Sequence, residues 1–106
     1  MEQMSFAEFA ASIARDPAPP AGLAAALRAL WLEARGDWDG AHAAAQEDET
    51  PAGAWVHGYL HRKEGDLGNA GYWYARARRN RPAKNVTLAQ EWEQIARALL
   101  GDERER

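Results

Sequence analysis

His57 and His61 stand four residues apart, so on a helix they share one face and both imidazoles can reach a single metal ion. Zinc would require a third ligand, for which His42 or an acid is available. Glu64, three residues beyond His61, completes the one grouping in the chain that resembles acid–base machinery. A plainer reading competes. On a helical wheel the two histidines oppose an apolar stripe of Trp55, Val56, Tyr59 and Leu60. They are then either solvated or bonded to nearby acids, or held between two helices as a hydrogen-bonded structural pair. The chain lacks an HExxH pattern and carries three histidines in all, so the expectation is a structural pair with no bound metal and no cofactor.

Two further groupings carry chemical potential. Arg76 follows Tyr72 by four residues, a spacing that permits cation–π stacking and a recognition patch, or simply a tyrosine covered by an arginine stem. Arg76, Arg78, Arg79, Arg81 and Lys84 place five bases within nine residues. Such a strip beside aromatics can hold phosphates, but cations at a helix C-terminus also answer its dipole, and the chain as a whole is acidic; nucleic acid is not the expected partner. No glycine-rich phosphate loop or nucleophile elbow occurs, and the two serines, Ser5 and Ser12, both fall in the first helix. No catalytic residue is assigned, and an enzyme is not expected.

The elements that position these residues are helices. Ser5–Glu8 is a capping-box pattern followed by Phe6, Phe9, Ala10 and Ile13 at helical spacing, giving a first helix over about 5–15. Three prolines between Asp16 and Gly22 make a stiff linker. A second helix runs from about Leu23 to Arg35, and a third begins at Trp38 and fades into the acidic run Glu47–Glu49, expected to be a solvated loop. Thr50–Pro51 opens a fourth, Gly65–Asp66 ends it and caps a fifth, and Pro82 stops the fifth after Asn80. Thr87–Gln90 opens a sixth helix carrying Leu88, Trp92, Ile95 and Leu99, closed by Gly101, with the charged tail 102–106 expected to fray. No stretch alternates with period two, so the fold class is all-α.

A chain of 106 residues, 46 % apolar and 27 % charged, is one domain with a modest core. Without cysteine it has no disulfide, thiolate metal site or cysteine nucleophile. The acidic start shows no signal peptide and no apolar run approaches the about 20 residues of a membrane span, so a cytoplasmic protein with no membrane contact is expected. Net charge is −3 but uneven: nine acids and three bases in residues 1–50, seven acids and ten bases in 51–106. That polarity can orient a partner or a second copy of the chain.

Sliding the sequence by 29 residues places Gly36–Asp37 on Gly65–Asp66, Ala41 on Ala70, Ala45 on Tyr74 and Ala29 on Gly58. Two helical hairpins, about 23–47 and 51–80, are therefore built alike, and the small Ala41 and Ala70 sit where the paired helices approach most closely. In Gly58, Ala70, Tyr74, Ala77, Pro82 and the Gly65–Asp66 turn, the second hairpin resembles a tetratricopeptide repeat (TPR). It departs from the pattern at His57 and His61, where leucine and tyrosine are expected, and at Trp55, displaced by one place. The first hairpin matches more weakly, through Ala29, Leu32, Gly36, Asp37 and Ala41, and is shorter than the about 34-residue repeat.

The resemblance, covering about 23–82, implies a six-helix array of antiparallel hairpins: a TPR-like superhelix fragment with capping helices at about 5–15 and 87–100. It implies a protein-interaction module that takes a peptide or partner helix in a groove lined by Trp55, Tyr59, Arg62 and Lys63, with Leu30 and Glu33 from the preceding hairpin. Tyr72 and Arg76 form the second candidate contact patch. Because two repeats fall short of the usual three, the flanking helices cap the ends or the chain dimerises. The alternative is a small-ligand or metal site, conceivably catalytic, around His57 and His61.

Overall fold

A computed structural model describes residues 4–102, and among them six helices and no strand. Five of the six starts follow from local sequence. Ser5 and Glu8 form the reciprocal capping box of α1 (Phe6–Arg15), and Thr87 with Gln90 forms that of α6 (Leu88–Leu100). The Asp37 and Asp66 carboxylates accept from the amides of Gly40 and Asn69 at the starts of α3 (Trp38–Glu47) and α5 (Leu67–Ala77). At α4 (Pro51–Lys63) the cap is Thr50 with proline at the first helical position. The Thr50 hydroxyl, however, turns back to Asp48 and leaves the helix amides alone.

The start of α2 (Ala25–Ala34) has a cap from elsewhere in the chain. Its N-cap Ala24 has no side-chain acceptor, and the Ala26 amide donates to Asp48 Oδ2 at 3.2 Å, while Asp48 Oδ1 accepts from the Thr50 amide at 3.0 Å. One carboxylate thus sits at the entrances of α2 and α4, where helix dipoles favour negative charge. The expectation of a merely solvated acidic run is corrected at this residue.

The two glycine–aspartate corners are near copies. Gly36 and Gly65 both have φ +89°, the left-handed conformation that glycine adopts without a steric penalty. The next amide closes each turn backwards, Asp37 N–H to Leu32 O and Asp66 N–H to His61 O, both at 2.9 Å. Consecutive helices fold back at each corner, α2 on α3 and α4 on α5, and Ala41 and Ala70 are fully buried there.

Helix α4 touches α2, α3, α5 and α6, and buries Gly53, Ala54 and every residue from Val56 to Leu60. A helix enclosed on most sides carries no broad polar face. Val56, Tyr59 and Leu60 join the main core with Phe9, Leu27, Leu30, Trp31, Ile95 and Leu100. Gly58 marks a close approach: a Cβ there would lie 3.0 Å from Tyr74 Cδ1. The glycine weakens α4 locally by about 1 kcal/mol relative to alanine, and in return the Tyr74 ring packs onto bare backbone.

At the open end of the array, α1 rests on α6. The Phe6 and Phe9 rings pack against Trp92, the Trp31 indole donates to Ser12 Oγ at 2.9 Å, and the Trp92 indole donates to Leu30 O at 3.2 Å. The Phe6 amide donates to Asp102 Oδ2 at 2.7 Å, so the expected fraying of the tail does not begin at Asp102; residues 103–106 lie outside the described residues.

One other boundary differs from expectation. Helix α5 ends at Ala77, before Asn80, because Arg78 adopts the left-handed conformation (φ 60°) and the Arg79 amide closes onto Tyr74 O. Leu67, the first residue of α5, is 58 % exposed. No helix among the described residues is long and apolar enough to cross a membrane.

Candidate functional site

The histidine pair does not stand alone. His42 from α3 meets His57 and His61 from α4, and one ring nitrogen from each residue falls within 4.8 Å of the other two. The rings of His57 and His61 are nearly parallel, 6° apart with centroids at 5.1 Å, as one helical turn of separation allows. His42 presents its edge to both, at 5.7 and 5.6 Å, and is itself braced edge-on by Trp38 at 4.8 Å.

Trp73 of α5 completes the group. Its indole lies flat on His57, centroids 4.0 Å apart and planes 11° from parallel. His57 is therefore sandwiched between Trp73 and His61, with His42 at the side. Only 5 % of its surface meets solvent. Of the two sequence readings of this pair, burial between helices describes His57; solvation does not.

Among the described residues, no imidazole of the three makes a hydrogen bond to another protein group. His61 Nδ1 is 2.9 Å from Glu64 Oε1, but the approach is too oblique for a hydrogen bond and the nitrogen is buried without one. The other buried polar side chains are paired. Ser12 Oγ donates to Phe9 O, Glu33 accepts from Tyr59 and Lys63, and Glu91 accepts from Arg62 and Tyr74. Burial, then the charges of His61 and His42, push the His57 imidazole down to about 4 from the ordinary 6.5. At neutral pH it is an uncharged ring with a free lone pair, the form that binds metals.

A cleft of about 470 Å³ opens beside the cluster, lined by Ala45, Thr50, Ala54, His57, Trp73 and Arg76. It links the buried face of His57 to solvent.

The expected groove residues are brought together, and their polar groups are engaged within the chain. Tyr59 is buried, and its hydroxyl donates to Glu33 Oε1 at 3.2 Å. Burial, then the adjacent Glu33 carboxylate, raises that phenol far above its ordinary range. Lys63 pairs with Glu33, and Arg62 donates to Glu91 Oε1 at 2.8 Å and to Val86 O. The Tyr74 hydroxyl donates to Glu91 Oε2 at 2.6 Å. Leu30 is fully buried, its carbonyl taken by Trp92. Glu91 and Trp92 of α6 thus sit at the position assigned to an incoming peptide. Trp55 is half-buried under the Arg79 guanidinium, 3.7 Å from its ring centroid.

Tyr72 is 54 % exposed with the Arg76 guanidinium over its ring at 5.8 Å and over Trp73 at 5.5 Å. The basic strip is divided. Arg76 covers α5 aromatics, Arg79 covers Trp55, and Arg81 donates back to Leu67 O at 3.2 Å.

Sequence spacing put His57 and His61 on one helix face, offered His42 or an acid as a third ligand, and expected no metal. It did not pair Trp73 with His57, since nothing in the local pattern says which residue of α5 crosses which residue of α4. Comparisons with protein-family models, curated proteins and solved structures find no match for this chain.

Proposed function

We propose that the chain is a small binding module on a scaffold similar to tetratricopeptide-repeat hairpins, and that its working site is the His42–His57–His61 cluster walled by Trp73. One observation supports this most. Three imidazoles from two hairpins converge, and His61 Nδ1 among them is the one buried side-chain polar atom of the described residues left without a hydrogen bond. Such groups cost stability unless something satisfies them, and a bound ligand supplies what the fold does not. The scaffold reading rests on the duplicated glycine–aspartate corners and on the Gly58–Tyr74 packing. Lacking cysteine, the module needs no oxidising compartment, and we take the cytoplasm as its setting.

The test is a fragment screen on the isotope-labelled full chain, read by shifts of backbone amide and imidazole signals. Binders that perturb His42, His57, His61 and Trp73 together support the reading. A screen whose binders all map elsewhere contradicts it.

A second reading keeps a protein partner, and is favoured by the exposed Leu67 and Tyr72 beside Arg76. This patch suits an acidic segment with an apolar anchor. The groove around Trp55, Tyr59, Arg62 and Lys63 would admit a peptide only after α6 moved away. Pull-downs in which Tyr72→Ala plus Arg76→Ala retained every wild-type partner would count against this surface.

A further inference from the structure

We propose that the ligand of the histidine cluster is a borderline divalent transition metal of the zinc class, held by His42, His57 and His61 with a further position open to the cleft. This rests on the ligand-site reading above and names the ligand for it.

The donor set decides the class. Three imidazole nitrogens suit zinc, nickel, cobalt or copper, and the cluster includes none of the carboxylates that calcium or magnesium favours. Thiolate-seeking ions are not served, because the chain has no cysteine. Two histidines one turn apart on α4 and a third on α3 reproduce the three-protein-ligand arrangement that leaves zinc an exchangeable site.

The geometry is close to what coordination needs. At a zinc–nitrogen distance of about 2.0–2.1 Å, tetrahedral ligands stand about 3.3 Å apart. The three nitrogens lie within 4.8 Å of one another, so closure takes about 1.5 Å, shared among side chains. His42 and His61 are only partly buried. Trp73 fixes the plane of His57, which serves as the anchor on which the other two close. Glu64 stands beside His61 Nδ1 at 2.9 Å, where a small rotation makes the hydrogen bond that orients a metal-bound imidazole and leaves Nε2 for the ion. The cleft next to His57 is the route of entry.

Calorimetry of the chelator-treated full chain with zinc chloride tests this. One ion per chain is expected, with a raised melting temperature; nickel chloride behaves alike, and calcium and magnesium chlorides give no heat. His42→Ala and His61→Gln each weaken zinc at least about tenfold. His57→Ala is left out of the test, because losing a buried ring that supports Trp73 lowers stability by itself. Cobalt(II) added to the wild type gives a second readout that needs no variant: an intense visible absorption from a low-coordinate nitrogen site. The proposal is overturned if zinc gives neither heat nor a shift in melting temperature, if binding is undiminished in the double variant His42→Ala/His61→Gln, or if cobalt shows only the spectrum of its hexahydrate. Silence with metals while fragments still map to His57 and Trp73 removes the metal and leaves the ligand site standing. Silence in both removes both.

Discussion

The imidazole of His57 lies flat on the indole of Trp73, 4.0 Å between centroids. Any event at His57 is therefore an event in the surroundings of one tryptophan. Zinc titration is expected to change tryptophan emission in step with occupancy, and Trp73→Phe is expected to reduce that change while still binding zinc, leaving the part that comes from Trp38 beside His42. An unaltered response in Trp73→Phe would mean that another of the five tryptophans reports, and that the stack is not part of the site.

Two buried carboxylates hold the bundle together unequally. Glu91 joins α6 to Arg62 and Tyr74, both ion-pair side chains largely out of water (18 % and 3 % exposed). The Lys63 partner of Glu33 is 41 % exposed and can be solvated when its partner is removed. Glu91→Ala is therefore expected to cost about 3–5 kcal/mol, the penalty for leaving a buried charge alone. Glu33→Ala is expected to cost less, which urea unfolding of the two variants would show. The reverse order would contradict this account of what anchors α6.

Gly58 is small because Tyr74 needs the space. A methyl group there meets ring atoms at 3.0–3.3 Å, and the ring cannot retreat while its hydroxyl is bonded to Glu91. Gly58→Ala should destabilise by about 1–3 kcal/mol, although alanine is the better helix former. A stabilised variant in thermal unfolding would refute the packing argument.

The Asp66 carboxyl is held below its ordinary 3.8 by the side-chain hydrogen bond from Asn69 and then by the Asn69 amide. A depressed folded-state value means the unfolded chain takes the proton first. The cap's contribution is thus complete above about 3.8 and is lost as pH falls through the lower folded value. Asn69→Ala should show a lower urea midpoint than wild type at pH 6, and the gap should narrow below about pH 4. A gap that widened on acidification would reverse the assignment.

What was legible in the sequence was whatever is encoded within one turn of chain. Capping boxes at Ser5 and Thr87, the Gly36 and Gly65 corners and the periodic stripes gave six helices with ends mostly within a residue or two. Arg78 escaped because a non-glycine left-handed residue has no strong local signature, and it shortened α5. Asp48 escaped because its target, Ala26, lies 22 residues upstream. The cluster divides in the same way. His57 and His61 share a face by helical arithmetic, whereas the stacking of Trp73 on His57 depends on how separate helices cross. The groove residues Tyr59, Arg62 and Lys63 were legible as neighbours on α4, whereas their partners Glu33 and Glu91 lie on other helices, beyond local pattern.

Long-range proton–nitrogen spectra of the three imidazoles, recorded with and without zinc, test the central claim most directly. Without metal, His57 should appear as a neutral ring at pH 6. With one equivalent of zinc, one nitrogen from each of His42, His57 and His61 should move together to values typical of coordinated imidazole. Movement confined to a single ring, or none, would contradict the account.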